Sequence, residues 1–470
     1  MSEPSGYRRE LGLFSSTMIV AGSMVGSGIF IVSADIVRQV HTGPMLMLTW
    51  LMAGLFTLCA TLSYGELTGM IPKAGGLYVF LKEGYGPLMG FLYGWCCFLV
   101  IETGAIAAVG VGAGKYLGAL IPAVDDARWI GVHAVIPALK MPFGMELGPY
   151  HFGLTGARLV GIAIIATIAL LNTFGVKLGA WIQNTFTVAK LAALGALVVL
   201  GLMLTPRVTP VAASAAVGPA SFSGLLTVLL VAQIGAFFSC DGWNFVGNVA
   251  PEIKNPKRNL PLALLIGPAA VIVLYLLANL AYLKLLGPAG IANAPEDRVG
   301  AAALGALFGP AGSTLMAGAI LISMIGYVNG ASFTSARVYQ AMGEDGLFGG
   351  GAAKLNRHGV PAISLWMQAG WACLLTLTGT FEQLVDFTEF AQLMFVVAVI
   401  FAVILLRRKR PDLERPYKVW GYPIVPMIYV VGSGSILILL LRYKPAFTWP
   451  GLILALLGVP VYYWGRRKKE

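Results

Sequence analysis

The chain reads as long apolar runs separated by short breaks that are charged or rich in proline and glycine. A membrane-crossing helix needs about 20 apolar residues. Twelve runs approach or exceed that length, near 11–37, 42–71, 86–120, 156–173, 181–204, 224–249, 262–286, 306–342, 361–380, 386–406, 423–441 and 446–464. The pattern predicts an all-α integral membrane protein with about twelve transmembrane helices. Two runs carry interruptions. Residues 21–30 (AGSMVGSGIF) place glycine at 22, 26 and 28, with Ser23 and Ser27 between them. Each interior glycine costs a helix about 1 kcal/mol relative to alanine. The sixth run breaks at Ser239-Cys240-Asp241-Gly242. A broken helix in hydrocarbon leaves amides and carbonyls unpaired, at several kcal/mol each. Paired breaks in matching positions of two halves point to the binding site of a secondary transporter. Here they lie five spans apart, and an odd number inverts the second unit relative to the first. The expected organisation is a first repeat over 1–205 (spans one to five) and a second over 206–410 (spans six to ten). Residues 411–470 then hold spans eleven and twelve and a basic cytoplasmic tail.

Charge sets the orientation. Only 11% of the 470 residues are charged, yet the net charge is +11. The basic residues lie between spans, so membrane orientation explains them better than nucleic acid. With the N-terminus in the cytoplasm, 21 of the 32 Lys and Arg fall on the inner side and 10 on the outer, with Lys190 inside a span. That excess matches an even number of spans with both termini cytoplasmic, in the inner (plasma) membrane. The first run is too long for a cleavable signal.

Enzyme chemistry lacks its parts. The five cysteines all lie in apolar runs and the four histidines are scattered. No HExxH, CxxC, GKS/GKT or GxSxG spacing is present, so no metal, cofactor, nucleotide drive or catalytic nucleophile is expected.

The candidate chemistry sits at the breaks. At the first, the amides of Val25, Gly26, Ser27 and Gly28 open a second half-helix whose positive end suits a carboxylate. The competing reading is a GxxxG packing face through Gly22 and Gly26. At the second, the carbonyls of Phe238, Ser239 and Asp241 suit an amine. Asp241 is an acid within a span, which marks a pathway or a partner; it either pairs with a substrate ammonium or caps the following half-helix. Phe238 and Trp243 are either gates or packing aromatics. Lys190 lies among Ala and Leu in the fifth span and needs a partner. It is either an ammonium fixed against the first broken helix, in place of a sodium ion or as a proton carrier, or a snorkelling lysine. Asn329, Ser332 and Ser335 are its candidate polar partners, against ordinary helix–helix hydrogen bonding. Glu102 is a second acid within a span, with no partner that the sequence names.

These phrases resemble the amino acid–polyamine–organocation superfamily, above all its L-type amino acid transporter branch and bacterial relatives. The matching segments are 22–30 (GSMVGSGIF), 64–76 (YGELTGMIPKAGG), 184–194 (NTFTVAKLAAL), 237–256 (FFSCDGWNFVGNVAPEIKNP), 329–337 (NGASFTSAR) and 410–418 (RPDLERPYK). The resemblance implies a LeuT-type five-plus-five inverted repeat with two additional helices, discontinuous helices one and six, and alternating access. It implies that an amino acid carboxylate meets the Val25–Gly28 amides, and that the amine meets carbonyls near Met24 and at Phe238, Ser239 and Asp241. Phe238 falls on the family's gating aromatic, and Asn244 on a polar residue that tunes the site. Lys190 falls on a fifth-span lysine that resembles a built-in substitute for sodium. The function implied is sodium-independent amino acid transport, neutral substrates first, as exchanger or proton-coupled symporter. A cationic amino acid or polyamine carrier is the alternative within transport, and an amino acid sensor the alternative outside it. Two departures matter. Residues 121–156 hold no cysteine, so no disulfide-linked heavy chain is expected. Asp241 stands where some members have glycine.

Overall fold

The computed structural model describes residues 7–121, 124, 129–137, 139–141, 145–147, 150–206, 222–349, 351–378, 381–443 and 445–467. The first apolar run is two helices, α1 (Leu13–Met24) and α2 (Gly28–Val40), and the second is α3 (Gly43–Met70). A glycine turn leads to the short α4 (Leu77–Tyr85). The third run is α5 (Pro87–Cys96), a π-helical turn at Cys97–Ile101 and α6 (Glu102–Leu120).

Four strands follow: β1 (Trp129–Ile136), β2 (Leu139–Met141), β3 (Met145–Leu147) and β4 (Tyr150–Thr155). β1 pairs antiparallel with β4, and β2 with β3. This corrects the all-α expectation. None of the strands is as long as a membrane span. The run Trp129, Ile130, Val132, Val135, Ile136 has the β-branched and aromatic content of a strand. It also brings together two of the scattered histidines, with His133 Nε2 3.2 Å from His151 Nδ1.

The chain continues through α7 (Gly156–Thr173), α8 (Val176–Met203), α9 (Phe222–Cys240), α10 (Phe245–Asn248), α11 (Pro256–Ala292), α12 (Val299–Phe308) and α13 (Pro310–Glu344). It ends with α14 (Ala362–Thr376), α15 (Phe381–Lys409), α16 (Ile424–Tyr443) and α17 (Pro445–Arg467). Among the described residues, nine spans are long and apolar enough to cross a membrane, counting α1 with α2 and α5 with α6 as one each. Gly224–Cys240, Val299–Phe308 and Ala362–Thr376 are apolar but shorter. A 28-residue helix such as α3 or α8 is about 42 Å long at 1.5 Å per residue, enough for a hydrocarbon core about 30 Å thick. α8 is apolar on both sides, burying Leu194 and Leu197 while exposing Trp181, Val188 and Val199. A helix apolar all round suits protein on one flank and lipid on the other.

Two buried carboxylates are paired with arginines. Glu66 of α3 accepts from Arg407 Nε at 2.8 Å and Nη2 at 2.6 Å, and from the Val419 amide at 2.7 Å. Glu252, in the turn after α10, accepts from Arg337 Nε at 2.8 Å. The Glu252 carbonyl also takes the amides of Glu10 and Leu11, both at 2.9 Å, and Leu11 returns its carbonyl to the Lys254 amide at 2.8 Å. The chain entering α1 is thereby stitched to the loop leaving α10.

Candidate functional site

The two interruptions touch through their backbones. A Cβ on Gly28, the first residue of α2, would press into the Ser239 side chain and stand 3.0 Å from the Ser239 Cα. A Cβ on Gly242, whose φ of +91° favours glycine, would stand 2.8 Å from the Ser23 carbonyl oxygen. The sequence thus places glycine where each break needs the other's main chain close. Gly26 is different: a Cβ there meets only Tyr327, at 3.7 Å. Gly28→Ala is therefore expected to lower uptake at least about fivefold, from the 1–3 kcal/mol of overpacking, and Gly26→Ala by less. Equal losses in a side-by-side uptake assay would show that close approach at Gly28 is unimportant.

The unpaired main-chain groups are shifted from their expected positions. The Val25 amide donates to Ala21 O at 3.0 Å and the Gly26 amide to Met24 O at 2.9 Å. Both belong to the predicted carboxylate set, and both are engaged because the chain turns tightly after α1. Among the described residues, no acceptor is found for the amides of Ser27, Gly28 and Ile29. These three open α2. On the carbonyl side, Met24 O and Ser239 O are joined by one hydroxyl: Tyr275 of α11 donates to them at 2.8 and 3.1 Å. Phe238 O accepts the Asp241 amide at 3.3 Å.

Between the breaks lies a cavity of about 20 Å³, lined by Ser27, Gly28, Val109, Phe238, Asp241 and Tyr327 among others. That is room for a single water. Phe238 lines it; Trp243 does not. Trp243 packs edge-on against Tyr64, with ring centroids 5.2 Å apart. It lines a second cavity of about 20 Å³ with Thr57, Cys240, Gln392 and the other side of Asp241. Asp241 does not cap α10, whose N-terminal position is Asn244 and which has no side-chain cap. Asn244 is buried, and neither of its side-chain polar atoms has a partner. Its carbonyl accepts from Tyr64 Oη at 3.2 Å. Glu102, just past the π-helical turn, lies within electrostatic reach of Asp241, and its Oε2 has no hydrogen-bond partner.

Lys190 is midway along α8 and 1% exposed. Its Nζ donates to Gly22 O at 2.6 Å, Val25 O at 2.8 Å and Ser323 O at 3.3 Å. Three carbonyls satisfy the three ammonium protons, and two of them belong to the first break. The snorkelling alternative is excluded by this burial. Its polar neighbour on α13 is Ser323, whose Oγ donates to Val25 O at 3.0 Å. Asn329, Ser332 and Ser335 are not there. Asn329 Nδ2 donates to Gly179 O at 3.3 Å and Gln183 Oε1 at 3.0 Å, and Asn329 Oδ1 accepts from Asn172 at 3.0 Å. Ser335 Oγ donates to Gln368 Oε1 at 2.8 Å, and Gln368 Nε2 to Ser332 O at 2.9 Å. These bonds tie α13 to α7, α8 and α14, below the turn that reaches Lys190.

A sequence profile of the amino acid permease family matches residues 11–462. The chain belongs to the amino acid permease family. It is 27% identical to the serine/threonine exchanger SteT of Bacillus subtilis (strain 168), over 100% of this chain and 99% of that protein. It is 27% identical to the b(0,+)-type amino acid transporter 1 of Mus musculus, over 98% of this chain and 88% of that protein. The large neutral amino acids transporter small subunit 2 of Homo sapiens is 27% identical, over 97% and 80%. For a permease, two residues that sequence reasoning missed stand out. Ser323 had a weak signal, as one more serine in the small-residue run of the eighth span. Tyr275 had none, because a tyrosine in an apolar run reads as packing until its hydroxyl is seen bridging two breaks.

Proposed function

We propose that this permease is a sodium-independent carrier of amino acids, neutral ones first, working by alternating access as an exchanger or proton-coupled symporter. The observation that carries the reading is the backbone contact between the two interrupted helices at Gly28–Ser239 and Gly242–Ser23. The carboxylate of a zwitterion meets the Ser27, Gly28 and Ile29 amides at the positive end of α2. Val25 and Gly26 join this set once the turn after α1 opens. The amine meets the carbonyls of Met24, Phe238, Ser239 and Asp241, with Tyr275 giving way. Phe238 closes over the ligand, and Asn244 tunes the second break. Lys190 takes the place of a sodium ion between α1 and α13. A ligand shifts the two access states only by its difference in affinity between them.

In this reading the spans number twelve: the nine long ones, together with α9, α14 and α17. Residues 1–205 and 206–410 form the two inverted repeats of a LeuT-type fold, followed by 411–470. Both termini lie in the cytoplasm, and the membrane is the plasma membrane. Asp241, an acid lining the cavity between the breaks, supports a second reading, a carrier of cationic amino acids.

Counterflow into proteoliposomes, with a panel of amino acids that includes arginine, tests the proposal. Replacing sodium by choline should leave the rate within about twofold, because a fixed ammonium already fills the cation position. A strict sodium requirement overturns the role given to Lys190. Saturable binding without counterflow makes the protein a sensor.

A further inference from the structure

The β1–β4 ladder brings together side chains that neither break uses. Opposite His133 stands Gly153, and opposite Val135 stands His151. His133 and His151 are therefore diagonal neighbours on one face, a spacing that aromatic side chains bridge. His133 Nε2 lies 3.2 Å from His151 Nδ1. The ring planes are within 10° of parallel and the centroids 5.4 Å apart, so the rings meet edge to edge, nitrogen toward nitrogen. Trp129 covers one face of the His133 ring, with centroids 3.7 Å apart and planes 16° from parallel. A Cβ on Gly153 would stand 3.0 Å from the Trp129 ring, so glycine there makes room for it. The backbone under the pair is pinned. Arg158 Nη1, near the start of α7, donates to His151 O at 2.9 Å, Gly153 O at 2.8 Å and Leu377 O at 2.9 Å. The Gly153 amide donates to Leu377 O at 3.1 Å. The Arg158 guanidinium also lies over the Trp129 ring, 5.0 Å from its centroid. Both imidazoles thus stand on a base tied to the chain just past α14, while β1 itself is exposed.

Two imidazole nitrogens at this separation match one first-row divalent cation. Zinc binds histidine nitrogen at about 2.0–2.1 Å. An ion at that distance from both nitrogens, themselves 3.2 Å apart, sees them at an angle of about 100°, close to tetrahedral. Imidazole suits zinc, copper and nickel, whereas magnesium and calcium take oxygen. We propose that His133 and His151 bind a divalent cation of the zinc class, with water in the remaining positions. The metal sits beside the line that joins the two nitrogens, and each ring tilts toward it. Without metal, one nitrogen donates to the other; with metal, both present a lone pair. The donor ring then carries its proton on its other nitrogen, so none is lost. The two ligands are 18 residues apart in the chain and on different strands, so no short motif marks them. Zinc binding here does not depend on the transported substrate.

Isothermal titration of zinc into the full chain in detergent, purified without a histidine tag, reads the binding. One zinc per chain is expected, and magnesium and calcium should give no heat of binding. His133→Gln and His151→Gln should each weaken zinc binding at least about tenfold, since even a group that only hydrogen-bonds to a metal ligand is worth that much. His41→Gln and His358→Gln, at the other two histidines of the chain, should leave it unchanged. Zinc should also raise the melting temperature of the wild type and not that of His133→Gln, because a ligand of the folded state stabilises it. Wild-type melting of both hairpin variants without zinc shows that they fold. No zinc binding by the wild type at millimolar concentration reduces the pair to a hydrogen bond and overturns the site. Wild-type affinity in His133→Gln or His151→Gln overturns it too, as does one zinc shared by two chains.

Discussion

Lys190→Ala is expected to lower amino acid counterflow by about two orders of magnitude, on the basis of 1.5–3 kcal/mol for one hydrogen bond to a charged group. The ammonium joins α8 to Gly22 O and Val25 O of the first break and to Ser323 O of α13. Alanine leaves a void beside them, takes the ammonium donor from Gly22 O and leaves Val25 O with the Ser323 hydroxyl alone. Lys190→Met keeps the packing volume and should be equally inactive, because the loss is of charge and donors. Lys190→Arg should not restore activity, since a planar fork does not fit a pocket built for a compact ammonium. The control is monodispersity in detergent, which should be near wild type for Lys190→Met. Counterflow at the wild-type rate in Lys190→Met would remove the ammonium from the mechanism.

How much of this was legible beforehand depends on what each residue does. The two breaks could be read because glycine clusters and an intramembrane acid are costly in an apolar run, and cost leaves a compositional trace. Lys190 could be read for the same reason. Side chains that act through one hydroxyl leave little such trace: Ser323 had only a weak signal and Tyr275 none. Asn329, Ser332 and Ser335 show the reverse error: polar residues within one helix share a sequence but face different neighbours. Which amides are free turns on a local matter. Val25 and Gly26 are consumed by a turn whose geometry depends on how α1 ends. The strands β1–β4, of three to eight residues, are too short to register in a pattern of 20-residue apolar runs.

Arg337→Ala should have the largest effect on stability. The Arg337–Glu252 pair has side chains that are 1% and 0% exposed, and the guanidinium stacks 4.2 Å over the Phe333 ring. Burial pushes the Glu252 carboxyl above its ordinary range, and Arg337 opposes that shift. Removing Arg337 leaves a buried carboxylate with its main counterion gone. Breaking such a pair costs about 3–5 kcal/mol. The same Glu252 holds the strap at Glu10 and Leu11 through its carbonyl, so the first residues of α1 should loosen as well. Thermal unfolding in detergent, with proteolysis near Leu11, measures both. Glu252→Gln combined with Arg337→Met should recover most of the loss, because a neutral pair carries no stranded charge. A single variant that melts with the wild type would show that the pair contributes little.

The narrow gap between the interrupted helices has a consequence for selection. Main-chain contacts of this kind treat every α-amino acid alike, so they cannot rank them. In the binding mode proposed above, with space for only one water, a cargo would have to displace wall atoms on arrival, by more with each carbon of its side chain. Phe238, Val109 and Tyr327 line that wall. On that proposal their resistance to being moved, more than any polar recognition, would turn the bulk of a visitor into a difference in affinity.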